Sequence, residues 1–260
     1  MKTAKGKEPP NHGRQSNSQL IAEDLQTLRF NPFTQVREVI GYDKIGVADA
    51  ERDLLTLRQL AAQMDGRRIA IFAMPKSGSS FVRSAIGRAA KLPTVTLTSI
   101  PADGGNIASY LGINGREQEI DELALILQTH RNSGNWVAHH HTRFTPYLAR
   151  QLAFFKVTPV VVVRNILDAI VSMDDMIMSA RRSGDWAIDT PHALPLDYPE
   201  LDRDTRLMLL ARDFGIWLIK FLVSWKRAIE ARFAFPLIIS YEEDVLNLPA
   251  LGTRLSDLLG

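Results

Sequence analysis

Arg68-Ile-Ala-Ile-Phe-Ala-Met74 runs directly into Pro75-Lys-Ser-Gly-Ser-Ser-Phe81, and this junction decides the fold. The first stretch is a short apolar run with the length and make-up of a strand buried on both faces, the signature of a parallel sheet. Pro75 and Gly78 interrupt it, and near Phe81 a helical apolar pattern begins. A strand that feeds a Gly-Ser turn into a helix N-terminus leaves several backbone N–H groups pointing at one spot, where the helix dipole also favours negative charge. The segment therefore reads as a cradle for phosphate or sulfate. Lys76 adds a mobile positive charge, and the hydroxyls of Ser77, Ser79 and Ser80 add neutral donors. Taken alone, the same residues also suit a helix cap on a surface turn.

Working outward, Leu54, Leu55, Leu57, Leu60 and Ala61 recur at helical spacing between Asp49 and Met64, and Gly66 stands where that helix would stop. On the other side, apolar runs at Val95 to Leu97, Trp136 to His140, Pro159 to Val163 and Phe235 to Ile239 alternate with helical stretches. Such alternation predicts an α/β three-layer sandwich, a central parallel sheet with helices on both faces. Between Ser183 and Asp204 the composition turns to Gly, Pro, Asp and Trp, which reads as a long loop or lid. Residues 1–30 read as a flexible polar tail, and residues 31–260 as one domain.

Composition narrows the functional classes. With 31 basic and 29 acidic residues the formal charge is +2, so no general nucleic-acid or membrane-surface binder is expected and any anion site must be local. The chain has no cysteine, which removes disulfides, thiolate metal ligands and a cysteine nucleophile together. No apolar core follows Lys2, Lys5 and Lys7 as a signal peptide would require, and no apolar run reaches the length of a membrane span. A cytoplasmic protein is the expectation.

The loop is not a Walker A sequence, because Lys76 precedes the single Gly78. A nucleotide triphosphatase would also place a magnesium carboxylate at a neighbouring strand end. Here Val160-Val-Val-Val163 ends in Arg164-Asn165, which suits a second phosphate and no metal.

Pro75-Lys-Ser-Gly-Ser-Ser-Phe81 after a buried strand resembles the 5′-phosphosulfate loop of sulfotransferases that use 3′-phosphoadenosine 5′-phosphosulfate (PAPS). The segment Val160 to Ser172 resembles the same family's 3′-phosphate motif, in which an Arg ends a strand and a Ser follows eight residues later on a helix; Arg164 and Ser172 occupy those positions. Ser240-Tyr-Glu-Glu-Asp244 is similar to a further family segment near the adenine. The likeness runs from about Arg68 to Gly260, with little to match in residues 98–134 and 174–213. It implies a P-loop-NTPase-like sulfotransferase fold, PAPS as sulfuryl donor, a small-molecule or carbohydrate acceptor and no metal. It further implies that Lys76, with Ser77, Gly78, Ser79 and Ser80, holds the 5′-phosphosulfate. Arg164 and Ser172 would hold the 3′-phosphate, Phe81 would stack on adenine, and Tyr241 would line the adenine pocket. Each has an ordinary structural alternative: Phe81 as helix core, Arg164 as a strand-end ion pair, Tyr241 as a packed aromatic.

Sulfuryl transfer to an alcohol needs a base near the acceptor hydroxyl, and histidine is the natural one at neutral pH. Strand alternation places His139 and His141 on one face of the run from Trp136 and His140 on the other. The resemblance aligns His141, followed by Thr142-Arg-Phe-Thr-Pro146, with the family's catalytic histidine, and His139 is the second choice. A metal shared by His139 and His141, or a purely structural cluster, are the competing readings. The family's basic, Gly-rich segment beyond the Tyr241 region has no counterpart before Gly260, which implies weaker 3′-phosphate binding. A non-catalytic nucleotide-binding protein and a kinase of related sheet architecture are the functional alternatives. Arg181, Arg182, Trp186, Met173, Met176 and Met178 stand as possible lining of a substrate mouth, with helix core the ordinary reading of the methionines, and Asp174 and Asp175 read as solvated charges.

Overall fold

The computed structural model describes residues 47–98, 119–183 and 194–260. His12, Trp186, His192 and the 1–30 tail lie outside the described residues. In chain order the elements are α1 (Val47–Gln63), β1 (Arg68–Ala73), α2 (Ser79–Ala89), β2 (Thr94–Val95), α3 (Glu122–Arg131), β3 (Trp136–His140), α4 (Pro146–Phe154), β4 (Thr158–Val163) and α5 (Ile166–Ser183). Then follow α6 (Arg203–Leu210), α7 (Ile216–Glu230), β5 (Leu237–Ser240) and α8 (Leu248–Leu259), with wider turns at Ala211–Gly215 and Tyr241–Val245.

The five strands form one parallel sheet in the order β2-β3-β1-β4-β5. β1 is central, and all six of its residues are buried, as its unbroken apolar run requires. Alternate side chains of the sheet build two cores. Ile69, Ile71 and Ala73 pack with Val82 and Ile86 of α2 and Leu251 and Leu255 of α8 on one face. Ala70, Phe72 and Met74 pack on the other with Leu125 of α3, Leu148 of α4, Met173 of α5 and Phe221 and Trp225 of α7. Phe72 and Trp225 meet at 5.1 Å between ring centroids, and fully burying side chains of this size contributes about 1.5–3 kcal/mol each. The chain thus leaves β1 toward one face and β3 and β4 toward the other. This opens a crevice at the carboxyl end of β1, the place where open parallel sheets bind ligands.

Two strand ends differ from the expected ones by two residues. β2 stops at Val95, because the Leu97 N–H is taken by the His140 ring Nε2 at 3.1 Å rather than by a strand neighbour. β5 begins after Pro236, whose missing N–H suits the edge position of this strand.

Asp174 departs from the expectation of solvated charge. It is 1% exposed and accepts from Tyr198 Oη at 2.8 Å and from Arg206 Nε and Nη2 at 2.9 and 3.2 Å. Asp175, one residue on, is exposed. Arg181 is likewise no part of a substrate mouth: it is buried and donates to the Leu196 and Pro195 carbonyls. Together these contacts pin the chain between Pro195 and Arg206 onto α5.

Candidate functional site

The turn from Met74 to Ser80 is built around two left-handed residues, Lys76 at φ 67° and Gly78 at φ 75°. Both the N–H and the hydroxyl of Ser77 donate to the Met74 carbonyl, at 3.3 and 2.6 Å, and the N–H groups of Phe81 and Val82 donate back to Gly78. The N–H groups of Gly78, Ser79 and Ser80 find no carbonyl partner among the described residues, as expected for the first turn of α2. Alternating left- and right-handed residues in such a turn create a concave nest of N–H donors suited to an anion. Gly78 is required twice: by its positive φ, and because a Cβ there would meet Val245 Cγ1 at 3.0 Å and Tyr241 Cδ2 at 3.2 Å.

The turn opens on a cavity of about 430 Å3 lined by Pro75, Lys76, Gly78, Ser79, Ser80, His139, His141, Arg164, Ser172, Met173, Met176 and Tyr241. Parallel pairing explains the convergence. β3 and β4 flank β1 in register, Ile71 beside His139 and Ala73 beside Val162, so His141 and Arg164 emerge on either side of the loop. Ser172 lies two turns into α5, on the face that also carries Met173 and Met176.

The three histidines have three different settings. His140 is buried beside Phe72 of β1 and is not among the residues that line the cavity. Burial first, then the charge of His141, pushes it down to about 3, so near neutral pH its Nε2 accepts from the Leu97 N–H as a neutral ring. His141 places Nδ1 2.8 Å from the Ala73 carbonyl at the end of β1. A carbonyl can only accept, so Nδ1 carries the proton and Nε2 holds the lone pair. His139 stands edge-on to His141, with ring centroids 4.9 Å apart, and its Nε2 is buried without a partner among the described residues. Burial lowers the pKa of His141, and the Ala73 bond opposes that shift. His139 is held well below the usual imidazole range by burial, and then by the charges of His141, His140 and Arg83.

Lys76 is partly buried. Burial first, then the neighbouring Arg164, lowers its pKa, while Asp175 opposes the shift. Arg164 donates from Nη1 to the Lys76 carbonyl at 2.7 Å, and its guanidinium lies 4.1 Å above the Tyr241 ring. Its Nε is buried and unpartnered among the described residues. Glu242 accepts from the Asn165 N–H at 2.9 Å and ties the strand ends of β4 and β5 together.

Nine of the eleven residues singled out in the sequence line this cavity: Lys76, Gly78, Ser79, Ser80, His139, His141, Arg164, Ser172 and Tyr241. Ser77 and Phe81 do not. The Ser77 hydroxyl is spent inside the turn, and Phe81 is 42% exposed on α2. Motif reading missed the Ala73 carbonyl, which sets the His141 tautomer but is a backbone group with no sequence signal. It also missed Asp175, whose charge reaches Lys76 from α5. Among the described residues no group of three or more His, Asp or Glu is placed to share a metal ion. Among them, too, no helix is long and apolar enough to cross a membrane.

A scan against protein-family models, a search of curated proteins and a search of solved structures each return no match to this chain.

Proposed function

We propose that this chain is a PAPS-dependent sulfotransferase, with the P-loop-NTPase-like form of the three-layer sandwich, acting on a hydroxyl or amine of a small-molecule or carbohydrate acceptor. The observation that carries the reading is the His141 tautomer. His141, whose Nε2 holds the lone pair because Nδ1 donates to the Ala73 carbonyl, lines the same cavity as Lys76 and as Gly78, Ser79 and Ser80, whose N–H groups find no carbonyl partner among the described residues. Base and anion cradle thus share one wall. The strand order, with the loop following the central strand at the sheet's crevice, supports the fold assignment.

The residues present fit the donor. Lys76 and the Gly78, Ser79 and Ser80 N–H groups suit the 5′-phosphosulfate. Arg164 and Ser172, which line the same cavity, suit the 3′-phosphate. When bound, PAPS supplies an activated sulfuryl group. His141 Nε2 takes the acceptor's proton as the acceptor oxygen or nitrogen bonds to sulfur. As the sulfuryl group is released from the donor's bridging oxygen, the Lys76 ammonium would stabilise the charge left on that oxygen. Fixed donors and positioning carry most of the work, because they are aimed before the charge develops. Met176, partly exposed on α5, gives the acceptor an apolar wall in the cavity that holds the base.

The test pairs calorimetry with product analysis. Adenosine 3′,5′-bisphosphate should bind without magnesium, and labelled PAPS should yield a sulfated product from a panel of alcohol, phenol, sugar and amine acceptors. Binding without any sulfated product would favour a non-catalytic nucleotide-binding protein. Binding only of ATP with magnesium would favour a kinase.

A further inference from the structure

Arg164 is expected to grip a phosphate, yet one edge of its guanidinium is already engaged. Nη1 donates to the Lys76 carbonyl at 2.7 Å, and that carbonyl belongs to a non-glycine residue at φ 67°, a conformation that L side chains rarely adopt. Such a conformation persists only where its surroundings hold it. Besides the Ser77 bonds to Met74 within the turn, this bond restrains it from outside, and it is itself oriented: the guanidinium carbon stands 4.1 Å over the Tyr241 ring, and Tyr241 in turn lies against Gly78, the second left-handed residue of the turn. The arginine, the aromatic ring and the two left-handed residues form a closed circuit at the mouth of the nest.

We propose that Arg164 is a positioning residue of the anion loop: through its Nη1 bond to the Lys76 carbonyl, with its plane held on Tyr241, it keeps the loop N–H groups aimed at the 5′ anion. The Nη1 bond engages one edge of the planar fork and leaves the opposite edge for a second oxyanion, so that anion need not release the loop. Arg164 thereby couples the two anion sites, and a ligand with no 3′-phosphate still depends on it. A lysine at this position keeps the charge but offers neither the planar stack nor two separate donor edges.

The inference rests on reading the loop as a 5′-phosphosulfate site, and the experiment separates the two. Binding of adenosine 5′-phosphosulfate, which has no 3′-phosphate, and of adenosine 3′,5′-bisphosphate is measured by calorimetry on the full chain. The proteins are wild type, Arg164→Ala, Arg164→Lys and Tyr241→Phe, each checked for folding by circular dichroism. Both Arg164 variants should weaken adenosine 5′-phosphosulfate by about tenfold or more, the scale set by releasing a strained turn. Tyr241→Phe, which keeps the ring, should stay within about twofold of wild type. If Arg164→Ala does not fold, Arg164→Lys alone decides. Loss of bisphosphate binding with adenosine 5′-phosphosulfate unchanged would overturn the proposal and leave the phosphosulfate reading standing. Rescue by Arg164→Lys would also overturn it, since charge alone would then suffice. A wild-type chain that binds neither nucleotide overturns the phosphosulfate reading and the proposal with it.

Discussion

Replacing Arg206 by alanine removes two bonds to Asp174, from Nε at 2.9 Å and Nη2 at 3.2 Å, and one to the Leu201 carbonyl at 2.6 Å. Asp174 keeps the Tyr198 hydroxyl at 2.8 Å but remains a carboxylate that is 1% exposed. Breaking a buried pair from one side costs about 3–5 kcal/mol, because the charge left behind is neither hydrated nor paired. The Arg206 side chain is 13% exposed, so water reaches that side and the lower end, about 3 kcal/mol, is expected. Against a total stability of about 5–15 kcal/mol this is a large loss. Urea unfolding followed by tryptophan emission measures it: with a slope near 3 kcal/mol/M, the midpoint should fall by about 1 M. Adding Asp174→Asn removes the stranded charge, so the double variant should be more stable than Arg206→Ala alone. An Arg206→Ala protein within about 0.5 kcal/mol of wild type, or a double variant that loses the sum of both single effects, would refute the reasoning.

Three further outcomes follow from the site. His141 must be neutral and Lys76 charged, and burial lowers both, so kcat/KM should rise with pH through a limb below the ordinary imidazole value of 6.5 and fall again before the ordinary lysine value of 10.5; a pH–rate profile checks both limbs. All three clustered histidines resist protonation in the fold, so below pH 6.5 the unfolded chain takes up more protons and stability falls with falling pH, for His140 down to about 3. Urea midpoints at several pH values should show His140→Gln losing about 1.4 kcal/mol per pH unit of that slope. Gly78→Ala meets both a positive φ of 75° and the Val245 and Tyr241 side chains; it should cost about 1–2 kcal/mol in thermal unfolding and weaken bisphosphate binding in calorimetry.

The frame of this site was legible because its signals are local. The run from Arg68 to Met74 is short, apolar and bounded by Pro75, and the end of the Val160–Val163 run marks Arg164 as a strand-end residue. The parallel register then brings the ends of β1, β3 and β4 together without further instruction. What stayed hidden depends on partners distant in sequence or on backbone atoms. Asp174 looks like half of a solvated acidic pair until Arg206, 32 residues on, is folded against it. Ser77 looks equivalent to Ser79 and Ser80, but the turn points its hydroxyl inward to Met74. Leu97 continues an apolar run that reads as strand, yet its N–H belongs to the His140 ring. The choice between His139 and His141 hinges on the Ala73 carbonyl, which no side-chain pattern announces.

The central claim is that His141 Nε2 is the base of a sulfuryl transfer performed over the Lys76 loop. It is tested most directly by the single-turnover rate of labelled sulfate from PAPS to the best acceptor of the panel, compared among wild type, His141→Ala and His139→Ala. Wild type should transfer label, and His141→Ala should lose about 10²–10⁴-fold, the usual worth of a positioned base. His139→Ala should lose less than about tenfold, because the Ala73 carbonyl fixes the ring of His141 and not that of His139. A His141→Ala protein that keeps most of the wild-type rate contradicts the account.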